Sequence, residues 1–320
     1  MSELRWDPVR GEWVATATAR MDRPQMPKDW CPFCPGSGEV PEDYDVHIYP
    51  NDFPTFAIPA PPQDIKGDDF FRTRKSWGFC DVVLYHPDHN KTIVDLDADH
   101  LLKLADLWQA RYMELSENKK VKFVYIFENN GETIGVTMPH PHGQIYAFPL
   151  IPPVISRELY YSQKYYERKG ACLHCDIIAR EMEEGARVVL EDDLFLAILP
   201  FYARWPFELH VYAKEHLPHI GQFDHKHKRA LCLMLKRVVK TYLNYFGFMP
   251  GYMMVMHQAP VNAGADDSYH FHVEFYPVNR SREKLKYRAG CETGAGVFIN
   301  DSAPEEKAAE LREFAAEPEK

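Results

Sequence analysis

The chain has 320 residues, of which 45% are apolar and 13% aromatic, and its formal net charge is −10. This length and composition predict a globular protein with two domains or one large double unit, and they exclude disorder. The acidic balance and the lack of lysine and arginine runs exclude a general nucleic-acid binder. No run of about 18 apolar residues is present, so we expect no membrane span. A small anionic substrate remains compatible with a few well-placed basic residues.

Cysteine usage indicates a reducing compartment. Seven cysteines would leave one unpaired in a disulfide scheme, and four of them form the pairs Cys31/Cys34 and Cys172/Cys175. The opening sequence MSELRWDP lacks the basic and apolar pattern of a signal peptide. We therefore expect a cytoplasmic protein in which the paired cysteines bind metal.

Helices and antiparallel strands are predicted along the chain. The first helix follows Asp97, a capping residue, and carries Leu101 and Leu104 on one apolar face. A second amphipathic helix spans about 224–246, and a terminal helix spans about 304–316. Strands with alternating apolar residues are predicted at 121–127, 144–148, 208–212, 252–257 and 271–276. The fold class is therefore α+β.

The two halves of the sequence repeat one order of motifs. A Cys-x-x-Cys pair comes first in each half, a histidine follows it, and a His-x-His pair ends the series. These positions are Cys31, Cys34, His89, His140 and His142 in the first half, and Cys172, Cys175, His216, His270 and His272 in the second. We place the boundary in a proline-rich connection, which gives units at residues 1–150 and 151–320.

The first His-x-His pair lies in the sequence PHPHGQ. Side chains two residues apart lie on the same face of an extended segment, so His140, His142 and Gln144 line one edge of a site. An isolated pair of this kind is as often a surface turn. The glycine-containing segment before the pair favours a site, because glycine lets a ligand approach the backbone closely.

The sequence FENNGETIGVTMPHPHGQIYAFP resembles the active-site segment of galactose-1-phosphate uridylyltransferases, a branch of the histidine-triad superfamily. This resemblance implies two histidine-triad-like halves in tandem, with an antiparallel sheet flanked by helices. It also implies a homodimer whose active site takes residues from both subunits.

Each cysteine pair predicts a structural zinc site, because cysteines and histidines are the usual ligands of a closed tetrahedral site. A single Cys-x-x-Cys pair would equally fit a redox motif, but the repeated order favours metal. The predicted ligands are Cys31, Cys34, His89 and His140 for the first ion and Cys172, Cys175, His216 and His270 for the second. His86 competes with His89, and the family pattern favours His89.

The identity of the second ion is open. Some relatives lack the second cysteine pair and bind a different ion, such as iron, through one glutamate and three histidines. The matching residues here are Glu158, His257, His272 and Glu274. Glutamate at position 274 departs from that pattern, so the cysteine-based zinc site is favoured.

The chemistry expected of the site is nucleotidyl transfer. If His140 binds zinc, His142 is free to attack the α-phosphorus of a nucleotide sugar as a neutral imidazole, and the resemblance implies that this sugar is UDP-glucose. Gln144 can donate a hydrogen bond to a phosphoryl oxygen but cannot deliver a proton. Galactose 1-phosphate would then take UMP from the uridylyl-histidine, which gives ping-pong kinetics.

Substrate-binding residues are implied only where motifs of the family match. They are Asn51, Asp52, Phe53 and Val82 at the nucleoside, Arg20, Arg23, Asn129, Gly135 and Thr137 at the phosphates and sugar, and Lys286 and Glu292 at the sugar. The segment 51–53 also fits a plain capped turn, and a single arginine is more often a solvated charge.

Two other functions remain open. The closing segment AGCETGAGVFINDSAPEEKAAELRE and the doubled cysteine pair also resemble plant-type ADP-glucose phosphorylase, which transfers an adenylyl group to phosphate. A non-catalytic zinc-binding interaction module is the more distant alternative, and the acidic charge counts against it.

Overall fold

The computed structural model describes residues 2–23 and 30–318. Its strands form one sheet of three strands and one sheet of nine. The strands are β1 (Ser2–Asp7), β2 (Glu12–Ala17), β3 (His47–Pro50), β4 (Thr73–Lys75), β5 (Phe79–Leu84), β6 (Phe123–Asn130), β7 (His142–Phe148), β8 (Val188–Glu191), β9 (Phe195–Ile198), β10 (Leu209–Ala213), β11 (Tyr252–His257) and β12 (His272–Pro277). The helices are α1 (Ala98–Ser116), α2 (Pro153–Lys169), α3 (Leu173–Glu184), α4 (His225–Phe246), α5 (Gly290–Ala295) and α6 (Pro304–Arg312).

The order of the nine-stranded sheet repeats the order of the sequence motifs. It runs β3-β5-β7-β6-β11-β12-β10-β9-β8, and its pairings are antiparallel. Strands β6 and β11 pair at the centre, so β7 and β12 occupy equivalent positions on either side of that pair. The two histidine-bearing strands are therefore symmetric partners in one continuous sheet, as the predicted tandem of histidine-triad-like halves requires.

Helices α1 and α4 cover one face of this sheet. The side chains of Asp97 and Asp224 accept hydrogen bonds from backbone amides in the first turns, at 2.8 and 2.9 Å. Such a cap stabilises a helix by about 1 kcal/mol. The apolar stripes predicted for both helices are buried, and Trp108 and Leu235 are fully inaccessible. Both predicted helices and the predicted cap at Asp97 are confirmed, and Asp224 caps the second helix in the same way.

The opposite face of the sheet carries the polar side chains of β7. Gly143, Ile145 and Ala147 are buried toward α1, whereas His142 and Gln144 alternate with them and are only partly buried. Gly143 is required by this packing, because a Cβ atom there would lie 2.3 Å from the hydroxyl oxygen of Tyr85. The predicted alternation thus decides which residues of β7 reach the site.

Some elements were not predicted. These are the N-terminal hairpin of β1 and β2, the short strands β3, β4, β8 and β9, the buried strand β5, and helices α2, α3 and α5. The predicted terminal helix is confirmed as α6, although it ends at Arg312 instead of about residue 316. None of the described helices combines the length and the apolar content needed to cross a bilayer.

Candidate active site and metal centres

His142 begins strand β7 and is held in one orientation. Its Nδ1 donates a hydrogen bond to the carbonyl oxygen of His140 at 2.7 Å, which leaves Nε2 as the unprotonated nitrogen of a neutral ring. The ring of Phe33 packs against it, with ring centroids 5.6 Å apart. Burial lowers the pKa of His142, and the positive charge of Arg23 lowers it further. The imidazole is therefore neutral and carries a free lone pair at neutral pH.

A cavity in front of His142 gathers most of the residues expected to bind substrate. The turn at 51–53 lies in its wall, and Asn51 Oδ1 accepts a hydrogen bond from the amide of Phe53 at 2.9 Å. The segment 51–53 is therefore a capped turn that also forms part of the cavity wall. The sequence-predicted residues that line this cavity are Arg23, Asn51, Asp52, Phe53, Val82, Thr137, His142 and Gln144.

The two arginines expected at the phosphates lie beside this cavity. Arg23 Nη2 donates to Thr137 Oγ1 at 3.2 Å, and Arg20 Nη1 donates to Thr55 Oγ1 at 3.2 Å. Asn129 lines a second cavity that also reaches His142. Gly135 ends a short 3-10 turn with φ of 80°, a conformation that favours glycine.

Lys286 and Glu292 are not part of the cavity at His142. Lys286 Nζ lies 2.8 Å from Glu292 Oε1, and both residues line a separate cavity with Tyr287 and Asp301. Hydrogen bonding to Lys286 and to the amides of Ala289 and Ile299 lowers the pKa of Glu292 to about 2. A single chain therefore does not bring this pair to His142.

The first cysteine cluster has the spacing of a tetrahedral metal site. Cys34 Sγ lies 3.5 Å from His89 Nδ1 and 3.6 Å from His140 Nδ1, and Cys31 Sγ lies 3.7 Å from His140 Nδ1. Ligand atoms about 2.0 to 2.3 Å from a zinc ion lie about 3.6 Å apart at the corners of a tetrahedron. His140 Nε2 donates to the carbonyl oxygen of His86 at 2.8 Å, which aims Nδ1 at the sulfurs. His89, not His86, belongs to the cluster.

The second cysteine cluster has the same arrangement. Cys175 Sγ lies 3.4 Å from His216 Nδ1 and 3.5 Å from His270 Nδ1, and Cys172 completes the group. Backbone carbonyls again hold the far ring nitrogens, because His270 Nε2 donates to Ala213 at 2.8 Å. The donor set and its spacing fit a closed four-ligand ion in each half.

Glu158, His257, His272 and Glu274 form a third cluster, with one candidate ligand atom from each residue within 4.8 Å of the others. His257 lies between the two carboxylates, 3.1 Å from Glu158 and 3.6 Å from Glu274. Burial lowers the pKa of His257, but these carboxylates outweigh burial and raise it to about 9. This cluster shares no residue with the second cysteine cluster, so the two sets are compatible with each other.

Several aromatic residues at the site were not predicted, among them Phe33, Tyr44, Tyr49 and Tyr146. Phe33 packs on the rings of both His140 and His142, and the Tyr44 hydroxyl lies 3.0 Å from His140 Nε2. The Tyr49 hydroxyl donates to Asp52, and Tyr146 donates to Gln144. The alternation of strand positions could have placed Tyr49 and Tyr146 on the site face, whereas nothing in the sequence marks Phe33 or Tyr44.

Comparison with known proteins identifies the family. Family models described as galactose-1-phosphate uridyl transferase match twice, the N-terminal domain over residues 1–152 and the C-terminal domain over residues 158–318. The chain belongs to the galactose-1-phosphate uridylyltransferase family. It is 41% identical to a member from Thermotoga maritima, over 99% of this chain and 100% of the relative. The chain is therefore a transferase.

Solved structures agree with this family. One described as a uridylyltransferase superposes with a TM-score of 0.89 at 32% identity, with 98% of each chain covered. An ADP-glucose phosphorylase from Arabidopsis thaliana superposes with a TM-score of 0.76 at 25% identity, again with 98% of each chain covered. The α+β fold with an antiparallel sheet flanked by helices is thus shared with the family.

Proposed function

We propose that the chain transfers UMP from UDP-glucose to galactose 1-phosphate through a covalent uridylyl-histidine at His142, a step of galactose metabolism. The single observation that carries this proposal is that Nε2 of His142 has no hydrogen-bond partner among residues 2–23 and 30–318, in a ring that is fixed by its 2.7 Å bond to His140 and lines a cavity. The family membership supports the choice of nucleotide and sugar.

The first half-reaction forms one bond and breaks one. His142 Nε2 attacks the α-phosphorus, a P–N bond forms, and the P–O bond to glucose 1-phosphate breaks. The electron pair leaves on a phosphate oxygen, which is a weak base and needs no proton from the protein. An oxygen of galactose 1-phosphate then displaces His142 and carries UMP away as UDP-galactose. The enzyme returns to its starting state, so ping-pong kinetics follow.

Gln144 and the arginines would stabilise charge on the transferred group. Gln144 lies two residues after His142 on the same face of β7, and its amide can donate to a non-bridging phosphoryl oxygen. Arg23 and Arg20 lie at the edge of the same cavity and would neutralise phosphate charge. Asn129, Gly135 and Thr137 would contact the phosphates and sugar, and Asp52, Phe53 and Val82 the nucleoside.

Two structural zinc ions complete the proposal. Cys31, Cys34, His89 and His140 would hold one, and Cys172, Cys175, His216 and His270 the other, with iron as the alternative second ion. Four protein ligands leave no open position, so neither ion would activate water. Such an ion stabilises the fold, and the first also ties His140 down next to the nucleophile. Cysteine-based sites and free thiols support a cytoplasmic location.

A homodimer would complete the sugar site. Lys286 and Glu292 match the sugar-binding stretch of the family, yet they line a cavity separate from that at His142. In a dimer, the partner subunit's copies of this pair would reach the nucleophile. Mixing a His142→Ala chain with a Lys286→Ala chain tests this: the mixture should regain activity that neither homodimer has. No recovery after subunit exchange would contradict the shared site.

Adenylyl transfer from ADP-glucose to phosphate is the second candidate function. The superposition on ADP-glucose phosphorylase and the second cysteine cluster favour it. Steady-state turnover of UDP-glucose with galactose 1-phosphate, set beside turnover of ADP-glucose with phosphate, decides between the two. We expect the first pair to be the better substrate.

A trapping experiment tests the proposed chemistry. Enzyme incubated with UDP-glucose labelled in the UMP phosphorus should keep label on protein that is denatured and isolated at alkaline pH, where the P–N bond is stable. Label should leave on addition of galactose 1-phosphate and should be absent in His142→Ala. An active enzyme that never holds label would overturn the covalent mechanism.

A further inference from the structure

Tyr146 contacts the side chain of Gln144 directly. Both residues lie on the site face of β7, two positions apart, and the Tyr146 hydroxyl donates to Gln144 Oε1 at 3.1 Å. The equivalent pair in the second half is Tyr276 and Glu274, where the tyrosine hydroxyl again donates to the side-chain oxygen. The repeat thus extends to a tyrosine two residues after the glutamine or glutamate.

The direction of the Gln144 amide decides whether it helps or hinders the reaction. One end of a glutamine amide is an acceptor oxygen and the other is an NH₂ donor. Only the donor end can bind a phosphoryl oxygen, and the acceptor end would repel it. Because Tyr146 holds Oε1, the NH₂ group is the end that meets the substrate in the cavity shared with His142.

The Tyr146 ring is fixed in position by its aromatic neighbours. Its centroid lies 5.1 Å from that of Phe127 at an interplanar angle of 85°, and 6.1 Å from that of Phe148 at 68°. Phe127 lies on strand β6 directly opposite Gln144. The pairing of β6 with β7 therefore positions both the Tyr146 ring and the Gln144 amide. Because these two rings already restrict the Tyr146 side chain, the hydrogen bond from its hydroxyl to Gln144 costs little additional side-chain entropy.

Arg20 places positive charge near the Tyr146 hydroxyl. Burial raises the pKa of the Tyr146 phenol, and the charge of Arg20 opposes that rise. The guanidinium of Arg20 donates its own hydrogen bonds to the carbonyl oxygen of Phe53 and to Thr55 Oγ1, at 3.5 and 3.2 Å. The contact that orients the amide is therefore the hydrogen bond from the Tyr146 hydroxyl to Gln144 Oε1.

We propose that Tyr146 is a positioning residue that orients the Gln144 amide so that its NH₂ group faces the α-phosphoryl oxygens. This inference rests on the proposed function, since it assigns Tyr146 a role in the same transfer step. Tyr146 does not touch the reacting atoms and acts only through Gln144.

A double-mutant cycle tests this dependence. Tyr146→Phe removes one hydroxyl and keeps the ring between Phe127 and Phe148, so the chain should fold and retain its KM for UDP-glucose. Loss of one orienting hydrogen bond should lower kcat about tenfold. In a Gln144→Ala background the same change should have no further effect on kcat, because the group that Tyr146 orients is gone.

Tyr276→Phe is the matched control. It removes the equivalent hydroxyl from the second half, and kcat per folded molecule should stay within about twofold of the unmodified chain. Three results would overturn the inference. Tyr146→Phe could leave kcat unchanged, or it could lower kcat by the same factor in the Gln144→Ala background as in the unmodified chain. Tyr276→Phe could also lower kcat as much as Tyr146→Phe does. Failure of the proposed function itself is distinct, since the unmodified chain would then neither hold label from UDP-glucose nor turn it over.

Discussion

His142 and His272 occupy the same position in the two halves and have different surroundings. Both start a strand, and both Nδ1 atoms bond to the carbonyl oxygen of the histidine two residues earlier. His142 lines a cavity, whereas His272 is 1% exposed and its Nε2 lies 3.6 Å from Glu274 Oε1. The rings of Tyr212 and His174 stack on His272, with centroids 5.1 and 4.9 Å away.

This difference shows that the backbone alone does not make a nucleophile. Strand pairing delivers an oriented imidazole in both halves, and the neighbouring side chains decide whether a phosphate can reach it. Carboxylates at Glu158 and Glu274 would repel a phosphoryl group from His272, while Arg23 lies near His142. The second half keeps the strand geometry around its histidine. Buried side chains surround His272, whereas a cavity lies in front of His142.

The largest expected effect separates the two histidines. His142→Ala should lower uridylyl transfer by about 10⁴-fold or more, because the covalent route is lost. His272→Gln should keep transfer within about tenfold per folded molecule, since the account gives His272 no part in the chemistry. Initial rates on both purified variants check this. Equal loss in the two variants would remove the distinction between the halves.

Metal ligands give the next largest effect. Cys34→Ser and Cys175→Ser should each remove one ion per chain and lower the free energy of unfolding by several kcal/mol, because metal binding contributes to folding. Only Cys34→Ser should also abolish transfer, since its ion holds His140 beside the nucleophile. Metal analysis by mass spectrometry, thermal unfolding and rates of the folded fraction check this. An unchanged metal content in either variant would disprove that site.

The next prediction compares the two halves at the residue two positions after the second histidine, which is Gln144 in the first half and Glu274 in the second. Gln144→Glu places in the first half the residue that the second half carries as Glu274. A carboxylate there cannot donate and repels the phosphoryl oxygens, so kcat should fall by about 10²- to 10³-fold. Gln144→Asn keeps the amide and is the control, with a smaller loss. A fully active Gln144→Glu enzyme would show that Gln144 has no role in charge stabilisation.

The smallest expected effect is on the pH dependence of stability, and it comes from Glu128, a buried carboxyl on strand β6. Glu128 is 6% exposed, and burial raises its pKa to about 7, although the hydrogen bond from Tyr252 opposes the rise. The strand register puts apolar Met256 at the equivalent position of the second half. Folding therefore favours the protonated form of Glu128.

The sign of the pH dependence follows from this raised pKa. The stabilising contribution of protonated Glu128 is complete below the unfolded pKa of about 4.5 and is lost as pH rises through about 7. The loss amounts to at most about 3 kcal/mol in the free energy of unfolding. Glu128→Gln should remove this part of the pH dependence, as measured by denaturant unfolding at several pH values. The same pH profile in chain and variant would contradict the assignment.

The sequence allowed the repeated parts of the molecule to be predicted. Two cysteine pairs followed by histidines in one order predicted clusters that do come within ligand distance. The cap at Asp97 predicted where α1 begins, and the apolar stripe at about 224–246 predicted α4, because both are local signals. The five predicted strands all exist, with bounds shifted by up to three residues. The zinc ions, the substrate contacts and the boundary between the halves stay predictions.

The remainder depended on long-range packing. Strand β5 is buried on both faces and lacks alternation, so its sequence FCDVVL carries no strand-specific period. Phe33 reaches His142 only because the first cysteine pair folds back onto the sheet. Glu128 and Asn129 belong to strand β6, which extends three residues beyond its predicted end at residue 127. Lys286 and Glu292 line a cavity separate from that at His142, and sequence periodicity does not contain that information.

The site of covalent attachment tests the comparison of the two halves most directly. Enzyme trapped with UDP-glucose is digested, and the modified peptide is located by mass spectrometry under conditions that preserve the P–N bond. We predict UMP on the peptide that contains His142 and none on the peptide that contains His272. UMP on His272, or on neither histidine in an enzyme that turns over, would contradict the account.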